Sequence, residues 1–101
     1  MFIVYTNNMR FDGNPAKDDA NFKKHGVSFK IAITAFDDPY ALVAPDPKHS
    51  TTESREWLIG EADGGKILVV VFTKRLQGQV YRIISARPAS RRERKQYEEL
   101  K

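Results

Sequence analysis

The sequence contains no cysteine, and this absence excludes several kinds of chemistry at once. Without thiols the chain can form no disulfide, no thiolate metal site and no cysteine nucleophile, and its composition fits a reducing compartment. Histidine is scarce as well, because the chain has only His25 and His49, and neither has a partner at the spacing of metal ligands. We therefore expect no metal site and no cofactor.

Long apolar runs are also missing. Residues 2–5, FIVY, form a segment too short for a signal sequence or a membrane span, and polar residues follow it directly. Hydrophobic residues make up 41% of the chain and charged residues 30%, a balance that is too apolar for intrinsic disorder. We expect one domain over residues 1–101, located in the cytoplasm and without membrane contact.

Positive charge is in modest excess. The chain has 17 lysines and arginines against 13 aspartates and glutamates, which gives a net charge of +4 at pH 7 and a pI near 9.5. This charge permits a nucleic-acid ligand or an acidic protein partner and does not decide between them. Between Lys66 and Arg94, however, guanidinium groups are dense enough to suit phosphate binding. RNA is therefore the first polyanion to consider.

Two short helices in tandem are predicted in the first half of the chain. Asn14 is a suitable cap for a helix that begins at Pro15, and Gly26 is a natural end for it. Ser28 can cap the second helix, which Asp37-Asp38-Pro39 would end. In the first helix, Ala16, Ala20 and Lys23 or Lys24 recur at helical spacing with Phe22, so one face is expected to bury a modest apolar stripe. In the second, helical spacing relates Phe29, Ala32, Ile33 and Phe36.

The remaining pattern predicts strands and one more helix. Ile67–Phe72 is continuously apolar, which indicates a central strand covered on both faces, and Val80–Ala86 is its expected partner. Two further strands are predicted at Tyr40–Ala44 and Glu53–Glu61, and one short strand somewhere in residues 2–12.

The C-terminal helix is predicted over residues 89–100. Ser90 and Glu93 form a capping-box pattern, and Tyr97 and Leu100 are the apolar residues expected to hold the helix on the sheet. The sequence thus predicts an α+β domain with a small antiparallel sheet of about four to five strands, two N-terminal helices and one C-terminal helix.

Several blocks of the sequence resemble the BrnT family. They include NFKKHGVSF at 21–29, FDDP at 36–39 and RIISAR at 82–87, followed by Glu93 and Tyr97. Members of this family are ribonuclease toxins of type II toxin–antitoxin pairs, with a RelE-like fold and an antitoxin called BrnA. The resemblance begins near Met9, so residues 1–8 are expected to be an N-terminal extension.

The resemblance implies an activity and two partners. The chain is expected to be an endoribonuclease that cleaves RNA without a metal and inhibits translation and growth. It also implies a BrnA-type ribbon-helix-helix antitoxin, in a complex of two toxins and two antitoxins that binds operator DNA through the antitoxin. The alternative is a non-catalytic nucleic-acid-binding or transcription-regulating protein, in which the same arginines only bind the backbone.

RNA cleavage through the 2′-OH needs a base, an acid and positively charged groups that stabilise the negative charge of the transition state. The resemblance to RelE-type toxins implies that arginine and lysine supply much of this. The catalytic candidates are Arg75, Arg87, Lys24 and His25. The RNA-binding candidates are Arg82, Arg55, Arg91 and Tyr97. Strand alternation predicts Arg82 on the opposite face from Arg87, with Arg87 free to turn toward Arg75.

Each candidate also has a purely structural explanation. Arginines at the edge of a sheet are usually solvated, and a basic side chain such as Lys24 or His25 is favourable at the C-terminal end of any helix. Trp57 fits the core or an antitoxin interface as well as it fits base stacking. Glu53 and Glu56 could provide a carboxylate base or a solvated strand edge.

Overall fold

A computed structural model describes residues 1–46, 48 and 54–101. The helices and strands, in chain order, are β1 (Phe2–Thr6), β2 (Met9–Gly13), α1 (Pro15–His25), α2 (Phe29–Thr34), a 3-10 turn (Ala35–Asp37), β3 (Leu42–Pro45), β4 (Arg55–Glu61), β5 (Ile67–Arg75), β6 (Val80–Pro88) and α3 (Arg91–Leu100). The predicted role of Glu53 and the loop histidine His49 lie outside the described residues.

The strands form one mixed six-stranded sheet in the order β1-β2-β6-β5-β4-β3. The prediction of an α+β fold is confirmed, but the expected sheet of four to five antiparallel strands is wrong. Residues 2–12 supply two strands instead of one, joined by a tight turn in which Asn7 and Asn8 have φ of 49° and 63°. Asparagine tolerates this left-handed region, so the hairpin closes without glycine. The two helices therefore follow a hairpin, and β2 pairs with β6 in parallel.

The structure confirms the predicted helix caps, which could be predicted because they depend on local chemistry. The Asn14 side chain accepts the N–H groups of Ala16 and Lys17, and Gly26 ends α1 with a φ of 71°. Ser28 caps α2, while Ser90 and Glu93 form the predicted capping box at the start of α3. These contacts satisfy N–H groups that have no partner inside the helix.

One face of the sheet carries the main core. Phe11, Phe72 and Ile83 of the strands are almost fully buried there, together with Phe29 of α2. Aromatic rings pack edge to face within it, and the Phe36 ring lies 4.9 Å from Phe11 and 5.0 Å from Phe72. These contacts fix β2, β5 and β6 against the helical layer.

Helix α1 is attached in a way that the sequence did not predict. Phe22 is 57% exposed, and Asn21 is the buried residue of α1. The Asn21 amide lies at the edge of β6 where pairing with β2 has ended, accepting the N–H of Ala86 at 3.0 Å and donating to its carbonyl at 2.8 Å. It also donates to the carbonyl of Val27 at 2.9 Å. The predicted apolar stripe on α1 is therefore wrong, because this helix is held by an amide that pairs with a strand edge.

A β-bulge in β6 reverses the expected direction of its arginines. Val71 pairs with Ser85 and Phe72 pairs with Ile83, so Ile84 is an extra residue without a partner in β5. One extra residue shifts the alternation of side chains by one position. Arg82, Ser85 and Arg87 therefore lie on the same face of the sheet, and the prediction that Arg82 and Arg87 lie on opposite faces is wrong.

The second face of the sheet is covered at one end by α3. Tyr97 is 1% exposed and packs with Ile59 and Val69, while Leu100 is 72% exposed and does not anchor the helix. The Tyr97 hydroxyl donates to Asp38, whose carboxylate also accepts the N–H of Glu61. Tyr97 therefore ties α3 to the sheet, on the face that carries the arginines of β6.

Candidate nucleic-acid interface

Cross-strand pairing places the arginines in rows on one face of the sheet, which we call the arginine face. Residues that pair across neighbouring strands lie side by side on the same face. One row consists of Asp12, Arg82, Thr73 and Arg55. The rows on either side of it contain Arg10, Val80 and Arg75 on one flank, and Ser85, Val71 and Trp57, then Arg87, Val69 and Ile59, on the other.

A cavity of about 360 Å³ lies on the arginine face. The residues that line it are Asp46, Arg55, Trp57, Val69, Val71, Ser85, Arg87 and Glu93. The two valines supply an apolar floor, and the guanidinium groups of Arg55 and Arg87 supply positive charge. An apolar surface with an aromatic ring suits a base, and guanidinium groups suit the phosphate beside it. The cavity therefore has the chemistry of a nucleotide site.

Arg87 is held by Glu93 of α3. Its Nη1 and Nη2 atoms donate to Oε1 and Oε2 of Glu93 at 2.7 and 2.8 Å, which is a bidentate pair. The hydrogen bonds from Arg87 lower the pKa of Glu93 to about 2, and the same contacts raise the pKa of Arg87. Both groups therefore remain charged over the physiological pH range.

Arg82 is held by Asp12. Its Nε lies 2.9 Å from Oδ1 of Asp12, and its Nη2 lies 3.4 Å from Oδ2. The Asp12 residue is 3% exposed, so this carboxylate depends on Arg82 for its compensating charge. Arg82 consequently has a structural task in addition to its place on the arginine face.

Arg75 and Arg87 do not converge. Arg87 pairs with Val69, and Arg75 lies six residues further along β5, which is about 20 Å at the rise of an extended strand. The prediction that Arg87 turns toward Arg75 is wrong, because Glu93 holds its guanidinium and the strand separates the two residues. Arg55 is instead the arginine that lines the same cavity as Arg87.

The other predicted site residues do not line the cavity. Lys24 is exposed and His25 half-buried at the end of α1, and neither lines the cavity. Arg91 is exposed in the first turn of α3. Tyr97 is packed beneath α3 with its hydroxyl on Asp38, so the folded chain does not present its ring to RNA.

Sequence reasoning missed residues whose position depends on distant pairing. Arg10 comes to this face because β2 pairs with β6, and its Nε is buried with no hydrogen-bond partner in the described part of the chain. Ser85 and Asp46 also line the cavity; Ser85 lies inside the RIISAR block, but the sequence did not mark either residue as part of a site. The capping pattern predicted Glu93 as a helix cap, and nothing local indicated its contact with Arg87.

The residues that the structure describes are 1–46, 48 and 54–101. They contain no group of three His, Asp or Glu side chains placed to hold a metal ion. No helix among them is long and apolar enough to cross a membrane.

Comparisons with known proteins agree with the resemblance found in the sequence. The family model described as "Ribonuclease toxin, BrnT, of type II toxin-antitoxin system" matches residues 14–93. The crystal structure of the Brucella abortus ribonuclease toxin BrnT superposes with a TM-score of 0.61 at 26% identity, covering 80% of this chain and 96% of that chain. No curated protein sequence matches. Because the family model spans most of the chain and both comparisons agree, the chain belongs to the BrnT family of ribonuclease toxins of type II toxin–antitoxin systems.

Proposed function

We propose that this chain cleaves RNA by attack of a 2′-OH on the adjacent phosphate, which is held in the cavity of the arginine face. The observation that supports this most directly is the common lining of the cavity by Arg55, Arg87 and Trp57. Cleavage of cellular RNA would stop translation and growth in the cytoplasm until an antitoxin binds.

The cavity residues divide the chemistry among them. Arg87 and Arg55 stabilise the negative charge that develops on the phosphate in the transition state. Trp57 stacks on a base, and the valine floor excludes water beneath the sugar. Asp46 is the other carboxylate that lines the cavity besides Glu93, and we propose that it accepts the proton of the 2′-OH and passes it, through water, to the leaving 5′-oxygen. Lys24 and His25 do not line the cavity, so we propose them as RNA contacts outside it and not as groups that transfer a proton within it.

The first test is cleavage by cavity variants. Arg87→Ala and Arg55→Ala should each remove about 2 to 4 kcal/mol of transition-state stabilisation, which is roughly a 30-fold to 1,000-fold loss of kcat/KM. Lys30→Ala is the matched control, because Lys30 is an exposed cation on α2 and does not line the cavity. Folded Arg87→Ala and Arg55→Ala proteins with full activity would refute the site. The earlier candidate Arg75 should be tested in the same series.

The second test is the chemistry of the products. Because guanidinium groups supply the charge that a metal would otherwise supply, cleavage should continue in EDTA and leave 5′-hydroxyl ends. Loss of activity in EDTA that magnesium or manganese restores would overturn the metal-independent mechanism. A chain that binds RNA and never cleaves it would favour the alternative function of a non-catalytic nucleic-acid-binding protein.

The partner proposal follows from the toxin–antitoxin family. We propose a BrnA-type antitoxin with a ribbon-helix-helix domain, in a complex of two toxins and two antitoxins that binds operator DNA through the antitoxin. Expression of the chain alone should arrest growth, and the antitoxin should relieve the arrest. If the antitoxin covers the arginine face, hydrogen exchange over residues 72–90 should slow in the complex. Unchanged hydrogen exchange of residues 72–90 in the complex would show that the antitoxin does not cover the arginine face directly.

A further inference from the structure

The ion pair between Arg87 and Glu93 leaves one edge of the guanidinium unused. The two terminal nitrogens of Arg87 are occupied end-on by Glu93, and Nη1 also donates to the carbonyl of Pro88 at 3.4 Å. Among the described residues, none accepts a hydrogen bond from Nε of Arg87. A guanidinium has five N–H donors in one plane, so its Nε–Nη2 edge can still hold a second oxyanion.

Glu93 is itself fixed from two directions. Its Oε1 accepts the N–H of Ser90 at 2.8 Å, and its own N–H donates to the Ser90 hydroxyl at 3.2 Å. The bond from the backbone N–H of Ser90 places the carboxylate at the start of α3, the bond to the Ser90 hydroxyl caps the helix, and the buried Tyr97 secures the same helix to the sheet. The position of Glu93, and therefore of the Arg87 side chain, is set by the docked helix.

We propose that Glu93 is a positioning residue, which holds Arg87 end-on so that its Nε–Nη2 edge faces the cavity and binds a phosphate of the RNA. This inference rests on the proposed function of the cavity. The residue touches no substrate in this proposal, since it acts through the geometry of Arg87.

Simple electrostatics predicts a different result, and this makes the proposal testable. Glu93→Gln removes a negative charge beside the cavity, so charge alone predicts tighter binding of RNA. The positioning role predicts slower turnover, because glutamine offers one acceptor oxygen and cannot hold both terminal nitrogens of Arg87. Turnover and affinity should therefore change in opposite directions.

The experiment compares Glu93→Gln, Glu93→Asp and Ser90→Ala with the unchanged protein. Glu93→Gln should lower kcat by about 10-fold to 100-fold with KM unchanged or lower. Ser90→Ala is the matched control, since it removes the side-chain cap of α3 and leaves the Arg87 contact in place. Its melting temperature should fall, while its kcat stays within about twofold. Glu93→Asp should restore part of the lost turnover. Equal kcat for Glu93→Gln and Ser90→Ala would reduce Glu93 to a helix cap and refute the proposal.

A binding measurement separates this inference from the proposed cleavage. The probe is an RNA oligonucleotide with 2′-O-methyl groups, which cannot be cleaved, and the signal is the Nε–H resonance of Arg87 in proton–nitrogen NMR. The resonance should shift on binding in the unchanged protein and not in Glu93→Gln. If the protein cleaves RNA but the resonance never responds, the positioning role is wrong. If the resonance responds but no RNA is cleaved, the proposed activity is wrong and the positioning role stands.

Discussion

Replacing Tyr97 by phenylalanine should destabilise the protein and leave its RNA binding unchanged. The ring remains in place against Ile59 and Val69, so the substitution removes only the hydroxyl that donates to Asp38. Burial and the hydrogen bond to Asp38 raise the pKa of Tyr97, so the phenol is protonated and donating at neutral pH. The variant thus isolates a single hydrogen bond between α3 and the sheet.

The size of the effect follows from what Asp38 retains. A hydrogen bond to a charged group contributes about 1.5 to 3 kcal/mol. The Asp38 carboxylate still accepts the N–H groups of Tyr40 at 2.9 Å and Glu61 at 2.8 Å, so it is not left unsatisfied. We therefore expect the lower part of the range, about 1.5 to 2 kcal/mol, and a melting temperature lower by about 6 to 16 °C.

The assay is urea unfolding at neutral pH, followed by the fluorescence of Trp57, the single tryptophan of the chain. Tyr40→Phe is the control, because Tyr40 is 52% exposed and the change should cost less than about 0.5 kcal/mol. Affinity for an uncleavable RNA should stay the same in both variants. If Tyr97→Phe keeps full stability and loses RNA affinity, then Tyr97 contacts RNA as the sequence predicted, and the packing described for α3 does not hold in solution.

Three further predictions test the strand edge, the Arg82 pair and the Arg87 pair. Asn21→Ala should lower the unfolding free energy in urea by about 2 to 3 kcal/mol, since both backbone groups of Ala86 lose their partner, and a loss below about 0.5 kcal/mol would contradict this pairing. Arg82→Ala should lower the free energy of thermal unfolding by about 2 to 3 kcal/mol, because it leaves the buried Asp12 carboxylate without its ion-pair partner. Adding Asp12→Asn should recover part of that loss. A double variant that recovers nothing would show that the Asp12 charge is not the cause of the loss. The pKa of Glu93 is about 2, below its ordinary value of 4.5, so its ion pair stabilises the fold above about pH 4.5 and this contribution is lost as the pH falls toward 2. Because the Arg87 side chain is 42% exposed, solvent screening limits the effect to about 1 to 2 kcal/mol, and urea titrations from about pH 6 to about pH 2.5 should show no such loss in Glu93→Gln; equal acid losses in both proteins would count against the pair.

The features that the sequence predicted correctly are local. The caps at Asn14, Ser28 and Ser90 each depend on residues within one helical turn, and the central strand at Ile67–Phe72 is identified by its own composition. Such signals need no knowledge of the rest of the fold.

The features that it missed depend on pairing between distant segments. The bulge at Ile84 cannot be seen in the RIISAR block, because the block alternates normally and only the register with β5 shows the extra residue. The same limit applies to Asn21, where Phe22 was the obvious candidate for burial and the decisive contact is with Ala86. Among the site residues, the sequence identified the arginines as candidates by residue type. It did not indicate that they lie together on one face of the sheet.

The order of the strands determines when, during synthesis of the chain, the cavity of the arginine face can form. The cavity takes its lining from β4, β5, β6 and α3, and β2 has no place in the main sheet until β6 is available to pair with it. A nascent chain that ends at the turn after β5 therefore lacks Arg87, which lines the cavity. It also lacks β6, the strand with which β2 of the first hairpin pairs. Long-range pairing of this kind is completed late in folding. The cavity can therefore form only after residue 93 has left the ribosome, and an unfinished chain should carry no site for RNA cleavage.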